Sequence, residues 1–241
     1  MIVLGLDTAT TACSAALWSD EGLLAHEFEA MERGQAERLN PMIGAVMARA
    51  ATGFGELTAV AVTKGPGAFT GLRIGLAAAR AIGLAARVPV IGVTTFAALA
   101  RAVPEAERDG RPILVAVNGK RRDVFFQMFD GRGGPSGAAG ALDPARVRER
   151  LPAGPVLIAG DGGPALRAAL AGSGDAGGEA AARIRFSAAM GPPDAVHVAA
   201  IGAELAPGAG AGAGAAPRPL YIRPPDARLP RPRLPEGEDR R

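Results

Sequence analysis

Apolar positions along the chain alternate between short strand-like runs and stripes at helical spacing. Runs at residues 2–6, 12–18 and 23–28, separated by Thr8-Ala9-Thr10-Thr11 and by Asp20-Glu21-Gly22, predict three strands joined as an antiparallel meander. Leu39, Met42, Ile43, Val46 and Met47 then recur at helical spacing and predict a helix over residues 35–51, ended by Gly53-Phe54-Gly55. A β-branched run predicts a buried strand at 59–63. Lys64-Gly65-Pro66-Gly67 breaks it, because glycine admits positive φ while proline fixes φ and supplies no amide donor. Thr70 stands where its hydroxyl can cap the next helix. That helix runs to about residue 87 and places Gly75, Ala79 and Gly83 four residues apart on one face, beside Leu72, Leu76 and Ile82. Two interior glycines cost roughly 1 kcal/mol each against alanine. The strip therefore predicts another helix packed unusually close. A strand at 90–93 and a short helix at 95–101 follow.

Three strands, helix, strand, helix, strand, helix describe an α/β lobe with a mixed sheet. The polar stretch AVPEAERDGR at 102–111 sets a boundary, giving an N-terminal lobe at 1–104. A smaller second lobe is expected at 105–206. It would hold strands at 112–117 and 124–129, a glycine-rich loop at 131–140, a short helix from Asp143-Pro144 to 151 and a strand at 156–159. Gly160-Asp161-Gly162-Gly163, a helix at 164–171, a low-complexity loop at 172–182, a strand near 183–186 and a helix at 193–205 would complete it. Residues 206–216 are almost all glycine and alanine, a spacer, and 217–241 are rich in proline and arginine and cannot form a core. Leu220, Tyr221 and Ile222 are the expected anchor of this segment onto the body or a partner, with an extended tail beyond Arg223.

Composition adds little that the pattern lacks. A chain of 241 residues that is 48% hydrophobic can bury a core in one large domain or two lobes. By inspection no apolar run approaches a bilayer span and no basic region precedes an apolar signal core, so a cytoplasmic protein without membrane contact is expected. The single cysteine, Cys13, lies in a strand and reads as a small apolar core residue. The net charge of +3 invites a nucleic-acid reading, yet the arginines are scattered and aromatics are 4% of residues, so stacking platforms for single strands are missing.

IVLGLDTATTACSAALW and GPGAFTGLRIG closely resemble the TsaB family, with further matches at PVIGVTTFAALA and PLYIRPP. The resemblance is dense over the first hundred residues and thin afterwards. It implies an actin/Hsp70/sugar-kinase-like (ASKHA) two-lobed fold with mixed sheets. It also implies a noncatalytic role: the dimerisation subunit that binds and activates TsaD, its larger catalytic relative, for threonylcarbamoyl transfer to tRNA adenosine beside the anticodon. The ATPase TsaE would act on the complex, tRNA would be met through the complex, and a homodimer would form when TsaD is absent. No tightly bound cofactor is implied, with ATP or ADP admitted at the surface shared with TsaD. One sheet cannot cover both faces of both helices. Among Leu39, Met42, Ile43, Val46, Met47, Leu72, Gly75, Leu76, Ala79, Ile82 and Gly83, about half would face the sheet and the excess is the expected interface, which the resemblance implies meets two equivalent helices of TsaD in a four-helix junction.

Chemistry-bearing residues are few. Asp7, followed by Thr8 and Thr10, matches the turn that holds a phosphate or metal-bound water in nucleotide-binding relatives, and equally fits a carboxylate that caps the turn amides. Gly65, Gly67 and Thr70 offer a weak phosphate contact at a helix start, or simply bend the chain so that the helix can pack. Leu72 and Arg73 stand after Gly71 where a Walker A loop needs lysine and a hydroxyl. His26 and His197 are far apart with no cysteine cluster, which argues against metal chemistry or a zinc protease. The family commonly has aspartate-alanine-arginine in the hairpin where this chain has Asn118-Gly119-Lys120, leaving Arg121 or Arg122 for any positive charge there. Two other function classes stay open at this point. An independent ATPase or small-molecule kinase would use Asp7 and both glycine turns, and an RNA-binding module would use the arginine-rich tail.

Overall fold

The computed structural model describes residues 1–119, 122–172, 183–209 and 217–223, and within them the strands form two five-stranded mixed sheets. Strands β1 (Ile2–Asp7), β2 (Ala12–Ser19) and β3 (Gly22–Ala30) make the expected antiparallel meander, with Leu4 opposite Leu17 and Leu6 opposite Ala15. After helix α1 (Gln35–Arg49), β4 (Ala59–Thr63) pairs parallel to β1, and after α2 (Phe69–Ala86), β5 (Val90–Val93) pairs parallel to β4. The order is β3-β2-β1-β4-β5.

Helix α3 (Thr95–Ala102) starts where the Thr94 hydroxyl accepts the Ala97 amide at 3.0 Å. It leads through the single turn α4 (Glu105–Arg108) into the second sheet. That sheet repeats the plan of the first. Strands β6 (Ile113–Asn118), β7 (Val124–Phe129) and β8 (Gly140–Leu142) are antiparallel, β9 (Val156–Ala159) and β10 (Ile184–Phe186) run parallel to β6, and the order is β10-β9-β6-β7-β8. Helix α5 (Gly163–Gly172) joins β9 to β10. Asp7 and Asn118 thus end equivalent strands, and the glycine turns at 65–67 and 160–163 follow equivalent ones.

Period-two alternation divides the first sheet between two helical layers. Leu4, Leu6, Cys13, Ala15, Leu17, Val60 and Val62 pack under α1 and α2. Val3, Ala59 and Ala61 face the opposite layer, built on α6 (Ala195–Leu205), whose Val198 and Ala203 join their cluster. This corrects the expected lobe boundary: α6 follows the second sheet in sequence but returns to β1, β2 and β4 of the first. Small residues on both sides permit the close approach, with Ala195 and Ala199 against Ala16. Other differences are local. Strand β8 begins at Gly140, the last residue of the expected loop, and covers two residues given no element, and the turn begun by Asp143 is a 3-10 helix, Pro144–Arg150, capped through the Ala145 amide at 3.0 Å.

Helix α2 also departs from expectation: at 18 residues it is long and apolar enough to span a bilayer by length and composition, yet only one third of it is buried. The expected anchor in the C-terminal segment is present, since the Leu220 amide donates to Lys64 O at 2.6 Å. Most of the low-complexity loop (173–182), most of the spacer (210–216) and the tail beyond Arg223 lie outside the described residues.

Candidate functional site

Asp7 ends the central strand β1 and is fully buried. The parallel register that sets Leu6 beside Val62 brings Thr63 next to it, and the Thr63 hydroxyl donates to Asp7 Oδ1 at 2.6 Å. The Ala9 amide donates to the same oxygen at 3.3 Å, whereas Oδ2 has no hydrogen-bond partner among the described residues. Burial pushes this carboxyl up to about 7; the bonds from Thr63 and Ala9 oppose the rise, and the negative charges of Asp194 and Asp161 add to it. Asp194 caps α6 by accepting the Val196 amide at 3.0 Å and pairs with His26 Nε2 at 2.8 Å. Although burial opposes its charge, the bonds from His26 and Val196 hold the Asp194 carboxyl below the usual range. Asp161 accepts the Asn118 amide at 3.0 Å, tying the second glycine turn to the end of β6. Thr63 and Asp194 escaped the sequence reading, because only the parallel register and the return of α6 bring them near Asp7.

The turn after Asp7 is docked onto the start of α2. Thr8 donates its hydroxyl to Gly71 O at 2.7 Å, and Ala9 O accepts the Ala68 amide at 2.7 Å. Thr10 is buried with no hydrogen-bond partner for its hydroxyl among the described residues. The glycines of this loop are closely approached by the chain. A Cβ on Gly67 would overlap the Ala9 carbonyl, and one on Gly65, at φ 111°, would lie 2.6 Å from Leu220 O. Close approach of the chain therefore accounts for glycine at both positions. Thr70 is not the cap: Ala68 holds that position without a side-chain bond, and Thr70 is exposed in the first turn.

The expected interface strip needs a larger correction. Gly75, Ala79 and Gly83 face the chain's own sheet. A Cβ on Gly75 would lie 2.6 Å from Thr8 Oγ1, and one on Gly83 would collide with Val90. Leu39, Met42, Ile43, Val46, Met47, Leu72 and Leu76 are likewise buried in the monomer, and Ile82 packs at the edge of the same core. Close helix-on-sheet contact, rather than helix-on-helix contact, explains the small residues.

The uncovered surface is the opposite face. Phe69, Arg73, Ala77, Ala81, Leu84 and Ala85 are exposed along α2 at i, i+4 and i+3 steps, with Leu84 82% and Phe69 51% exposed. The two arginines of this helix turn aside. Arg73 lies 3.7 Å over the Phe69 ring and donates to the Tyr221 hydroxyl at 3.3 Å, and Arg80 donates to Pro217 O at 2.7 Å. Beside it, α1 presents Gly44 and Ala48 to solvent. Among the described residues no group of three or more His, Cys, Asp or Glu could hold a metal ion. Of the hairpin arginines, Arg122 is exposed and Arg121 lies outside the described residues.

Comparison with known proteins gives this geometry a context. Residues 28–140, which include α1 and α2, match the family model of TsaD, tRNA N6-adenosine threonylcarbamoyltransferase. The tRNA threonylcarbamoyladenosine biosynthesis protein TsaB of Escherichia coli is 36% identical over 129 residues, 54% of this chain and 55% of that protein. Its Haemophilus influenzae namesake is 33% identical, over 53% of each. The chain therefore spans about half the length of the curated relatives it matches. Structural likeness is more extensive: YeaZ from Pseudomonas aeruginosa is 27% identical with a TM-score of 0.71, covering 91% of this chain and 99% of that one. An activator of 2-hydroxyisocaproyl-CoA dehydratase from Clostridium difficile, with bound ADPNP, has a TM-score of 0.52 at 12% identity over 86% of this chain and 96% of its own, a likeness of fold alone. The architecture is the expected α/β fold with two mixed sheets.

Proposed function

Since its sequence relatives and structural neighbours put this chain with the TsaB (YeaZ) family, we propose that it serves tRNA threonylcarbamoyladenosine synthesis as a noncatalytic subunit that binds and activates TsaD. The observation that carries the reading is the outer face of α2: an apolar helix with one face exposed from Phe69 to Ala85 and small residues on it at Ala77, Ala81 and Ala85. A surface of that kind is stabilised by a second helix lying close against it.

The TsaD family model covers α1 and α2, so a TsaD partner would carry a helix pair of the same design. Two such pairs can meet about a pseudo-twofold axis, each outer face covering the other. A standard interface of roughly 1,600 Å² would suffice. Activation in this reading is positional, with the buried helices holding TsaD in its active arrangement in the cytoplasm. TsaE and tRNA would be met through the complex, and a homodimer would use the same face when TsaD is absent. Any ATP or ADP would sit at the shared surface.

Reconstitution tests this. Incubating TsaD, TsaE, ATP, threonylcarbamoyl adenylate and unmodified tRNA with and without the chain, then measuring modified nucleoside by mass spectrometry, should give product only when the chain is present. Equal product without it would overturn the activating role, and product from the chain alone would overturn the noncatalytic one.

A further inference from the structure

The PLYIR motif near the C-terminus has no part in the function proposed above, yet it makes contacts on both sheets. We infer that residues 217–223 form an intramolecular clasp that holds the two sheets in one fixed relation. On the first sheet, Pro217 Cβ lies 2.6 Å from where a Cβ on Gly92 of β5 would be, and Pro217 O accepts from Arg80. Both sides of Leu220 are engaged: its amide donates to Lys64 O at 2.6 Å, and its carbonyl fills the space over Gly65. Tyr221 stacks on Phe69 at 5.5 Å between ring centroids and 26° between planes.

The next two residues belong to the second sheet. Ile222 packs into the cluster formed by Phe96, Leu99, Val117 and Phe125. Arg223 pairs with Asp123 in the β6–β7 connection, its guanidinium 5.4 Å from the centroid of the Phe125 ring.

The seat is shaped for this segment. Side chains at Gly65 or Gly92 would occupy the space taken by Leu220 O and Pro217, so the clasp and its bed are fitted to each other. Its remaining contacts are hydrogen bonds, an ion pair, ring stacking and the packing of Ile222 on the second-sheet cluster, all outside the main cluster beneath α1 and α2. Releasing one end therefore leaves that core packed while freeing the segment that bridges the sheets.

Hydrogen exchange on the full chain tests the inference. The double variant Ile222→Ala/Arg223→Ala removes only the second-sheet end. Its decisive readout is exchange in residues 64–73, on the first sheet, with residues 2–7 as the internal reference for intact folding. A clasp predicts that exchange at 64–73 rises about tenfold, equivalent to about 1.4 kcal/mol of lost protection, while 2–7 is unchanged. A rise confined to residues 118–129, with 64–73 as protected as before, overturns it. If the double variant fails to fold, Asp123→Ala, which breaks the same ion pair from the other side, is read at 64–73 by the same criterion.

Discussion

Replacing Asp7 with asparagine should remove a fall in folding stability that Asp7 contributes between pH 4 and pH 7. In the folded chain burial raises the Asp7 carboxyl from 3.8 to about 7, while the unfolded chain returns it to its ordinary value. Between those values the folded state holds a proton that the unfolded state has released, so stability falls as pH rises through the window and levels off above about 7. At 1.36 kcal/mol per unit, the displacement corresponds to about 4 kcal/mol at most. The asparagine amide would keep an oxygen for the Thr63 hydroxyl, now 2.6 Å from Asp7 Oδ1, and would carry no charge to desolvate. Urea unfolding of wild type and Asp7→Asn at half-unit steps from pH 4.5 to 8.5 reads the difference directly. The two should differ by less than about 1 kcal/mol at pH 4.5, with the variant ahead by several kcal/mol at pH 8. Parallel curves across the range would show that Asp7 ionises normally in the folded chain, and would refute the reasoning.

Further outcomes follow from packing. Gly75→Leu and Gly83→Val should each lower stability by at least about 1–3 kcal/mol and reduce the melting temperature, because their side chains would enter the space of Thr8 and Val90 of the same molecule. Unaltered melting would return that strip to the surface. Cys13 is buried, and burial with the nearby Asp7 charge pushes its thiol up to about 12. Reaction with a disulfide reagent at pH 8 should be slow in the native chain and at least about a hundredfold faster in denaturant; similar rates would contradict the burial.

Much of the first sheet was legible because its signals are local. Period-two apolar runs with short turns located β1 to β3, and β4 and β5 have the expected bounds. The bulky triplet at Leu220 identified the anchor for the same reason. What escaped depends on partners distant in sequence. A strip of Gly75, Ala79 and Gly83 has the same spacing whether it meets a helix or the chain's own strands, and only the position of Thr8 and Val90 decides between them. Helix α6 looks like the end of the second lobe until its small residues are seen against Ala16 and Ala61. Strand β8 is three residues in a glycine-rich stretch and exists through its pairing with β7. At the candidate site, Asp7 was visible as an isolated carboxylate, whereas Thr63, which holds it, became visible only through the register of β1 with β4.

The central claim is that the outer face of α2, not the inner strip, meets the catalytic partner. Leu84 is the residue to change, since at 82% exposure its replacement costs the monomer little. Covering its side chain on association is worth about 1.5–3 kcal/mol, and forcing a carboxylate into the same place adds a desolvation penalty. Isothermal titration of TsaD with the wild-type chain and with Leu84→Asp therefore gives the most direct test. The account predicts measurable association for wild type and a loss of at least about a hundredfold, ~2.7 kcal/mol, for a variant whose circular dichroism and melting temperature are unchanged. Equal affinity of the two chains for TsaD would contradict it.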